Sequence, residues 1–288
     1  VYASKGYLLW SECHDPYKQA VQGVNTNSDF SKVMYNSSQT AFSVPAAVGY
    51  MESHDKERIP FEAIAYGNSF GGYNTRDTST ALRQTAAAAS VLLTTPGPKM
   101  IWQFGERGYD VSIFFNGGRT ANKPHLWEQW TEPRRKALFE VFSKLNHLRI
   151  SNPALFNSSN FNYDFYDNNG LFKRYQITDN NSNGIKLNVV ANLDVAAQTR
   201  NIGFQATGNW YNYVSNGTGS GLNGPTNATF NLGANNNNVT LQPGEFHVYL
   251  YHPPNVYIFN GDGNWSNAAN WTYGNVPPAT LPSGAEII

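Results

Sequence analysis

The sequence changes its pattern near residue 153, and this change restricts the folds that the chain can adopt. Before that point, short apolar runs such as 43–51 (SVPAAVGYM) and 99–104 (KMIWQF) end in polar loops, and each loop is followed by a helix-forming segment. After it, short strand-like runs are separated by turns rich in Asn, Gly and Ser. The first pattern is typical of a parallel α/β sheet or barrel, and the second of an antiparallel β-sandwich.

Composition shifts at the same place. About 29 of the 40 charged residues precede position 151, whereas about 28 of the 36 asparagines follow it, which indicates a domain boundary. The pair Pro253-Pro254 breaks the chain again, and the residues after it carry few strand signals. We therefore expect three parts: 1–153, 154–252 and 253–288, the last being a linker or the start of a further β module.

Two segments of the first part have the apolar periodicity of helices. The segment 77–95 has an N-cap candidate in Asp77 and an Ala-rich middle with one apolar stripe. The segment 131–149 has Pro133 in its first turn. In a parallel barrel, the loops that follow the carboxyl ends of the strands carry the chemistry.

Six runs of the second part have strand character. They are 171–178, 185–193, 210–214, 228–232, 239–242 and 245–251. Short strands at this spacing, with turn signals between them, predict an antiparallel sandwich. We interpret Trp210, Tyr211 and Tyr213, which lie close together in one run, chiefly as packing residues. A sugar-stacking face is the alternative.

Charge and cysteine content exclude several classes of protein. With 20 basic and 20 acidic residues, the chain lacks the positive field of a nucleic-acid binder or a polybasic membrane protein. No apolar run approaches the roughly 20 residues needed to cross a bilayer, and the chain does not start with a signal-peptide pattern. The single cysteine, Cys13, excludes an internal disulfide and a multi-Cys zinc site. Many aromatic and amide side chains favour a neutral polar ligand such as a carbohydrate.

The segment 48–55 (VGYMESHD) is the strongest candidate for chemistry. It is a strand-like run that ends in Glu52, Ser53, His54 and Asp55. Glycoside cleavage needs carboxylates around a positively charged transition state, and a carboxylate beside a histidine can hold adjacent sugar hydroxyls. Without further context, a His-Asp pair is more often a surface turn or a helix cap.

This segment resembles the fourth signature region of the α-amylase family, glycoside hydrolase family 13, in which an apolar run ends in Glu-Asn-His-Asp. Ser53 stands where the family usually has Asn. Three further segments resemble family landmarks in the same order. They are 92–106 (LLTTPGPKMIWQFGE), similar to the eighth barrel strand and its flanks, 134–155 (RRKALFEVFSKLNHLRISNPAL), similar to the last barrel helix, and 240–249 (TLQPGEFHVY), similar to the end of the C-terminal β domain.

The resemblance implies a fold of the α/β plus all-β class. Residues 1–153 would be the C-terminal part of a (β/α)8 TIM barrel, incomplete because a whole barrel takes about 250 residues. Residues 154–252 would be the antiparallel β-sandwich domain that follows it. The nucleophile and the general acid of the family lie on upstream strands, so we expect this chain alone to be inactive.

The resemblance also implies site residues. Asp55 would be the catalytic acidic residue that binds hydroxyls of the sugar at the cleavage point, and His54 would hydrogen-bond the same sugar. We regard Arg58 and Glu106 as further substrate-binding candidates; a local ion pair of Arg58 with Glu57 and a structural hydrogen bond of Glu106 are the alternatives. We interpret Trp102 chiefly as a core residue, with sugar stacking as the alternative, and Glu12 chiefly as a loop residue, with the general acid as the alternative.

The complete protein would be a secreted or cell-surface glycosidase that cleaves α-1,4-glucosidic bonds in starch-like glucans with retention. We expect no metal or cofactor in this chain; calcium, where the family binds it, is held mostly by upstream residues. A branching or debranching enzyme of the same fold is one alternative. A non-catalytic carbohydrate-binding or surface protein is the alternative from another class.

Overall fold

Helices alternate with short strands in the first part of the chain. The computed structural model describes residues 2–166, 170–181, 184–251, 256–257, 259, 262–271, 276–281 and 286–287. The elements before residue 157 are β1 (Leu9–Glu12), α1 (His14–Val21), β2 (Ala47–Tyr50), α2 (Ile59–Tyr66), β3 (Ser69–Phe70), β4 (Tyr73–Asn74), α3 (Thr78–Thr94), α4 (Pro133–Ser151) and α5 (Pro153–Phe156). The two helices predicted from periodicity are present as α3 and α4. None of the helices in the described part of the chain is long and apolar enough to cross a membrane.

Three parallel segments lie side by side in this part. β1 pairs with β2, with Glu12 opposite Tyr50. On the other side of β2, Gly49 forms a parallel bridge with Lys99. Because the segments are parallel, their carboxyl ends meet at one edge of the sheet, where loops of parallel α/β folds carry functional residues.

The strands are shorter than the apolar runs 43–51 and 99–104 predict. Pro45 has no N–H to donate to a sheet, and β2 begins only after it, at Ala47. Beyond Lys99 the chain leaves the sheet, and Phe104 adopts a left-handed conformation with a φ of 61°. A bulky residue rarely adopts this conformation, so the turn after the third segment is a strained one.

Helix α3 is buried on almost every side, although its sequence predicts one apolar stripe. The small side chains of Ala87, Ala88 and Ala89 are fully buried and let neighbouring elements approach closely. Its buried hydroxyl side chains bond back to the helix, as when Thr85 Oγ1 donates to the Ala81 carbonyl at 2.8 Å. The buried Gln84 instead donates to the Leu193 carbonyl next to β7. α3 therefore serves as the central helix of the molecule.

The second part is built from two antiparallel sheets. Its strands are β5 (Phe161–Tyr166), β6 (Phe172–Asp179), β7 (Lys186–Asn192), β8 (Gln198–Gly203), β9 (Gly208–Ser215), β10 (Thr229–Leu232), β11 (Asn236–Leu241) and β12 (Phe246–Tyr251). Six strands pair in the order β10-β9-β12-β7-β6-β5, and β8 pairs with β11 as a separate ribbon. β5 and β8 were not predicted: β8 is mostly exposed and polar, whereas β5 alternates aromatic with polar residues and does carry a strand signal.

One face of the six-stranded sheet packs against the helices of the first part. Val189 and Val248, on the central strands β7 and β12, belong to one continuous core with Ala88 of α3 and Leu145 of α4. The predicted parts 1–153 and 154–252 therefore share a hydrophobic core.

The other face of this sheet packs against the β8–β11 ribbon. Val190 and Tyr249 alternate with the residues that face the helices, as the two-residue period of a strand requires. Trp210 is fully buried on this face and lies 5.0 Å from the ring of Phe204. Tyr213 donates to the carbonyl of Lys144 on α4 at 3.1 Å. Trp210 and Tyr213 are therefore packing residues, as the sequence predicts, and they do not form an exposed sugar-stacking face.

Two further short strands lie in the part 253–288. They are β13 (Val256–Tyr257) and β14 (Glu286–Ile287), which pair in parallel. Phe259, Trp265 and Trp271 form an aromatic cluster with ring centroids 4.5–5.2 Å apart. The predicted break at Pro253-Pro254 lies outside the described residues.

A buried polar network joins β9 to β12. His247 is fully buried, and its Nε2 lies 2.9 Å from the carboxylate of Glu245. Its Nδ1 lies 2.9 Å from both Asn212 Oδ1 and Ser215 Oγ. The amide of Asn212 is oriented by its donation to the Gly221 carbonyl, so both ring nitrogens of His247 face oxygen atoms.

This network makes Glu245 a pH-dependent stabiliser. Burial acts to raise the pKa of Glu245, but hydrogen bonds from His247 and the Gln242 N–H outweigh it, and the pKa lies below its ordinary value. A carboxylate with a lowered folded-state pKa stabilises the fold above the ordinary pKa, and this contribution is lost as pH falls through the lowered value.

We therefore predict that the free energy of unfolding falls as pH drops below about 4.3, the ordinary pKa of Glu, and falls less steeply in Glu245→Gln. Urea unfolding followed by circular dichroism at a series of pH values measures this slope. Glu140→Gln, at an exposed position of α4, is the matched control. An equal slope in Glu245→Gln and wild type would contradict the prediction.

The crowding around α3 gives a second prediction. Ala88→Leu adds bulk at a fully buried position of α3, in the core that the helix shares with the six-stranded sheet. It should lower the free energy of unfolding by about 1–3 kcal/mol. The same measurement applies at neutral pH. Arg83→Leu, at an exposed position of the same helix, should change stability by about 0.5 kcal/mol or less. A fall in the free energy of unfolding that is no larger in Ala88→Leu than in Arg83→Leu would contradict the crowding around α3.

Candidate functional site

The residues predicted for chemistry meet at the carboxyl edge of the parallel segments. His54 and Asp55 lie in the turn between β2 and α2, and Trp102 follows the segment that bridges to β2. An open cleft of about 470 Å³ lies between this turn and the segment 110–125. His54, Arg58 and Trp102 line it, so the structure brings three of the predicted positions together.

His54 lines this cleft, and Asp55, which is not among the lining residues, is exposed and paired with His54. The His54 Nε2 lies 3.1 Å from Asp55 Oδ2, and the two side chains are 72% and 61% exposed. An exposed carboxylate can accept hydrogen bonds from two hydroxyl groups, and the other ring nitrogen of His54 adds a further hydrogen-bonding group. The pair can therefore bind adjacent hydroxyl groups of one ligand.

Trp102 is a cleft residue and not the core residue that its strand-like run predicts. Its ring centroid lies 5.8 Å from that of His54, and Arg58 lies 5.9 Å from it on another side. The chain leaves the sheet between Lys99 and Phe104, which is why the side chain is only half-buried. An aromatic ring beside a polar pair offers a flat apolar surface to a ligand that carries hydroxyl groups.

Arg58 lines the cleft from behind and is paired with Glu52. Its Nη1 lies 3.5 Å from Glu52 Oε2, and its guanidinium lies 5.0 Å from the ring centroid of Tyr109. Burial lowers the pKa of Arg58, while the charge of Glu52 opposes that shift. The expected alternative, an ion pair with Glu57, is absent from the ion pairs of the described residues.

Glu52 is the buried anchor of the turn. Its Oε1 accepts the N–H of Ile59, the first residue of α2, at 2.7 Å. Burial raises the pKa of Glu52, and the charge of Arg58 and the Ile59 N–H act against that shift. Gly105 lies against the same carboxylate, and a Cβ at this position would come within 2.6 Å of Glu52 Oε2. Glycine is therefore required where the two turns meet.

Glu57 fixes the opposite wall of the cleft. Its Oε1 accepts from the Ser112 hydroxyl at 2.7 Å, and its Oε2 accepts the N–H of Ile113 at 2.9 Å. Its main-chain carbonyl accepts from His14 Nε2 at 3.0 Å. Glu57, which we expected to form a local ion pair, thus anchors a segment 55 residues away in the chain.

The other two acidic candidates lie beside the cleft. Glu106 is in the turn after Phe104, near enough to raise the pKa of Glu52, and is not among the described residues that line the cleft. Glu12 is the last residue of β1 and not a loop residue: its Oε2 lies 3.2 Å from Lys56 Nζ, and its Oε1 accepts the N–H of His14.

The described residues do not offer a set of side chains that could bind a metal ion. No group of three or more His, Cys, Asp and Glu side chains there could hold a metal ion. Burial raises the pKa of the Cys13 thiol to about 11, so it stays protonated at neutral pH. The calcium that the resemblance associates with a complete enzyme is therefore not assigned to these residues.

Sequence reasoning missed Arg119, which reaches Asp55 from the segment 110–125. Its Nη1 lies 3.2 Å from the Asp55 carbonyl oxygen and 3.8 Å from Asp55 Oδ1. This segment has neither helical nor strand periodicity, and the contact joins residues 64 positions apart. A pair of glycines at 117 and 118 is the only local signal, and it indicates a turn without indicating a partner.

Comparison with solved structures identifies similar folds. A pullulanase from Bacillus acidopullulyticus matches at 18% identity and a TM-score of 0.54, over 85% of this chain and 30% of that chain. An α-amylase from Geobacillus thermoleovorans in complex with acarbose matches at 13% identity and a TM-score of 0.54, over 83% of this chain and 47% of that chain. A variant of AmyP in complex with maltotriose matches at 13% identity and a TM-score of 0.53, over 86% of this chain and 52% of that chain.

The chain thus spans between 30% and 52% of the length of these three proteins. No protein-family model matches the sequence, and no curated protein matches it either. At such low identity the likeness is one of fold. The resemblance read from the motifs is confirmed at that level: the chain shares the fold of the α-amylases and the pullulanase of glycoside hydrolase family 13.

Proposed function

We propose that this chain forms the sugar-binding side of an α-amylase-type active site that acts on α-1,4-glucans such as starch. The observation that carries the proposal is the exposed Asp55–His54 pair beside Trp102 at the carboxyl edge of the parallel segments. In this proposal, Asp55 is the catalytic acidic residue that accepts hydrogen bonds from hydroxyl groups of the sugar, and His54 hydrogen-bonds the same sugar. Arg58 and Glu106 support the cleft from behind.

The composition of the cleft supports a neutral carbohydrate as the ligand. The charged side chains that line it, Arg58, Arg119 and Lys123, are all basic. Glu52 pairs with Arg58, and Asp55 lies against Arg119. Carboxylates therefore balance two of the three positive charges and reduce the field that would select an anion. Aromatic side chains and hydrogen-bonding groups both line the cleft. The α-amylase and the AmyP variant with similar folds were solved with acarbose and maltotriose, which supports a glucan of the same kind here.

Hydrolysis with retention needs two further carboxylates about 5–5.5 Å apart. Glu12 is engaged by Lys56 and the N-terminus of α1, so we propose that the nucleophile and the general acid come from a longer protein. The free side of β1 supports this assembly, because Leu8 and Trp10 are exposed there, Trp10 by 69%. Large exposed apolar side chains of this kind mark a surface that another element covers.

The domain assignment belongs to the same proposal. We assign 1–153 to the last βα units of a (β/α)8 barrel, 154–252 to the β-sandwich domain and 253–288 to a linker or further β module. We propose a secreted or cell-surface location, where the protein would meet the proposed polymeric substrate. Detection of the protein in culture supernatant tests that location.

Replacing Asp55 tests the site directly. Asp55→Asn keeps the shape of the side chain and removes its charge, so maltotriose should bind about tenfold more weakly or worse, as expected for hydrogen bonds to a charged group. Isothermal titration calorimetry of the chain with maltotriose measures the change. Asp164→Asn, on an exposed position of β5, is the matched control. Unchanged affinity in Asp55→Asn would contradict the assigned role.

Activity of the longer protein tests the reaction. We expect it to release reducing ends from starch and to lose this activity in Asp55→Asn, and we expect the chain by itself to release none. The pullulanase and the α-amylase have the same TM-score, so the fold does not favour one linkage. Assays on pullulan and on branched products separate a debranching or branching enzyme from an α-amylase. Glucan binding without any cleavage would favour the non-catalytic alternative.

A further inference from the structure

The segment 110–125 brings a positive charge to Asp55 from the opposite wall of the cleft. Arg119 Nη1 lies 3.2 Å from the Asp55 carbonyl oxygen, within hydrogen-bond distance. The same atom lies 3.8 Å from Asp55 Oδ1, an ion-pair contact that is too long for a hydrogen bond. Because His54 Nε2 is next to the other carboxylate oxygen, the two basic side chains flank Asp55.

The position of Arg119 is fixed by contacts at both ends of its segment. Glu57 accepts hydrogen bonds from Ser112 and Ile113 at one end. At the other end, the Tyr109 hydroxyl donates to the Pro124 carbonyl at 2.6 Å. Glu57 lies two residues from Asp55, so one turn carries the carboxylate and also holds the segment that faces it.

Three cationic side chains line the described cleft, and they differ in how their donors are used. Arg58 is paired with the buried Glu52. Lys123 Nζ donates to the carbonyls of Gly118 and Ala121 at 2.9 and 2.7 Å. A guanidinium has five N–H donors, and the contacts of Arg119 with Asp55 use only its Nη1. The side chain is 53% exposed, so further donors face the cleft.

We propose that Arg119 is a substrate-positioning residue that acts together with Asp55. The carboxylate accepts a hydrogen bond from one hydroxyl group of the sugar, and the guanidinium donates a hydrogen bond to the oxygen of a neighbouring hydroxyl. Arg119 also limits the rotation of the carboxylate before the ligand arrives, because it holds both the main chain and the side chain of Asp55. The inference rests on the proposed function, since its ligand is the glucan proposed for the same cleft.

Titration of the chain with maltotriose tests this role. Arg119→Ala should raise the Kd about tenfold, the loss expected for charged hydrogen bonds in a partly exposed site. Arg119→Lys keeps the positive charge but not the planar fork of donors. It should therefore restore about a third of the binding free energy that Arg119→Ala loses. Arg200→Ala, at an exposed position of β8, removes an arginine far from the cleft and should bind as wild type does.

A double-mutant cycle separates a joint role with Asp55 from an independent one. In an Asp55→Asn background, Arg119→Ala should weaken binding by less than about threefold, because its partner is already altered. Circular dichroism of each variant confirms that the fold is retained. A full tenfold loss in that background would overturn the joint role.

The outcomes distinguish this inference from the function on which it rests. If wild type binds maltotriose and Asp55→Asn binds weakly while Arg119→Ala binds normally, the inference fails and the proposed function stands. If wild type does not bind maltotriose at millimolar concentration, the proposed function fails, and the inference fails with it. A loss in Arg119→Ala without any recovery in Arg119→Lys would assign the effect to packing and overturn the positioning role.

Discussion

The carboxylate of Glu52 is the interaction on which the geometry of the cleft depends. A buried charge is costly unless it is paired and hydrogen-bonded, and Glu52 meets both conditions through Arg58 and the N–H of Ile59. These contacts join the end of β2 to the start of α2, so both ends of the intervening turn are fixed. His54 and Asp55 are carried outward on that turn, where solvent and ligand reach them.

A second constraint comes from the apolar interior. The six-stranded sheet is buried on both faces, with the helices on one side and the β8–β11 ribbon on the other. α3 packs between the other helices and the six-stranded sheet, and its alanines allow that close approach. The six-stranded sheet therefore supports the helices of the first part through a shared hydrophobic core.

Much of the fold follows from local pattern. Apolar periodicity predicts α3 and α4, and strand-like runs with turn signals predict six of the strands. β5 does carry an alternation, with Phe161, Tyr163 and Phe165 on one face, and it pairs with the next strand, so its signal is present in the sequence. β8 escapes prediction because its residues lack a clear apolar alternation and it pairs with β11, which is distant in sequence. Trp102 is misread for a related reason, since only the tertiary structure shows that the chain leaves the sheet before it reaches Phe104.

The site is predicted only as far as its motif extends. The sequence motif covers His54, Asp55 and Arg58, which lie close together in the chain. The contact of Arg119 and the anchoring role of Glu57 depend instead on a segment with no periodic signal. That segment is attached to the turn of Asp55 through a few polar contacts and contributes no strand to the sheets. Its sequence can therefore change without disturbing the packed interior. Natural variation concentrated in 110–125 would alter which ligands fit while the scaffold persists, and this gives the fold a separate region in which specificity can evolve.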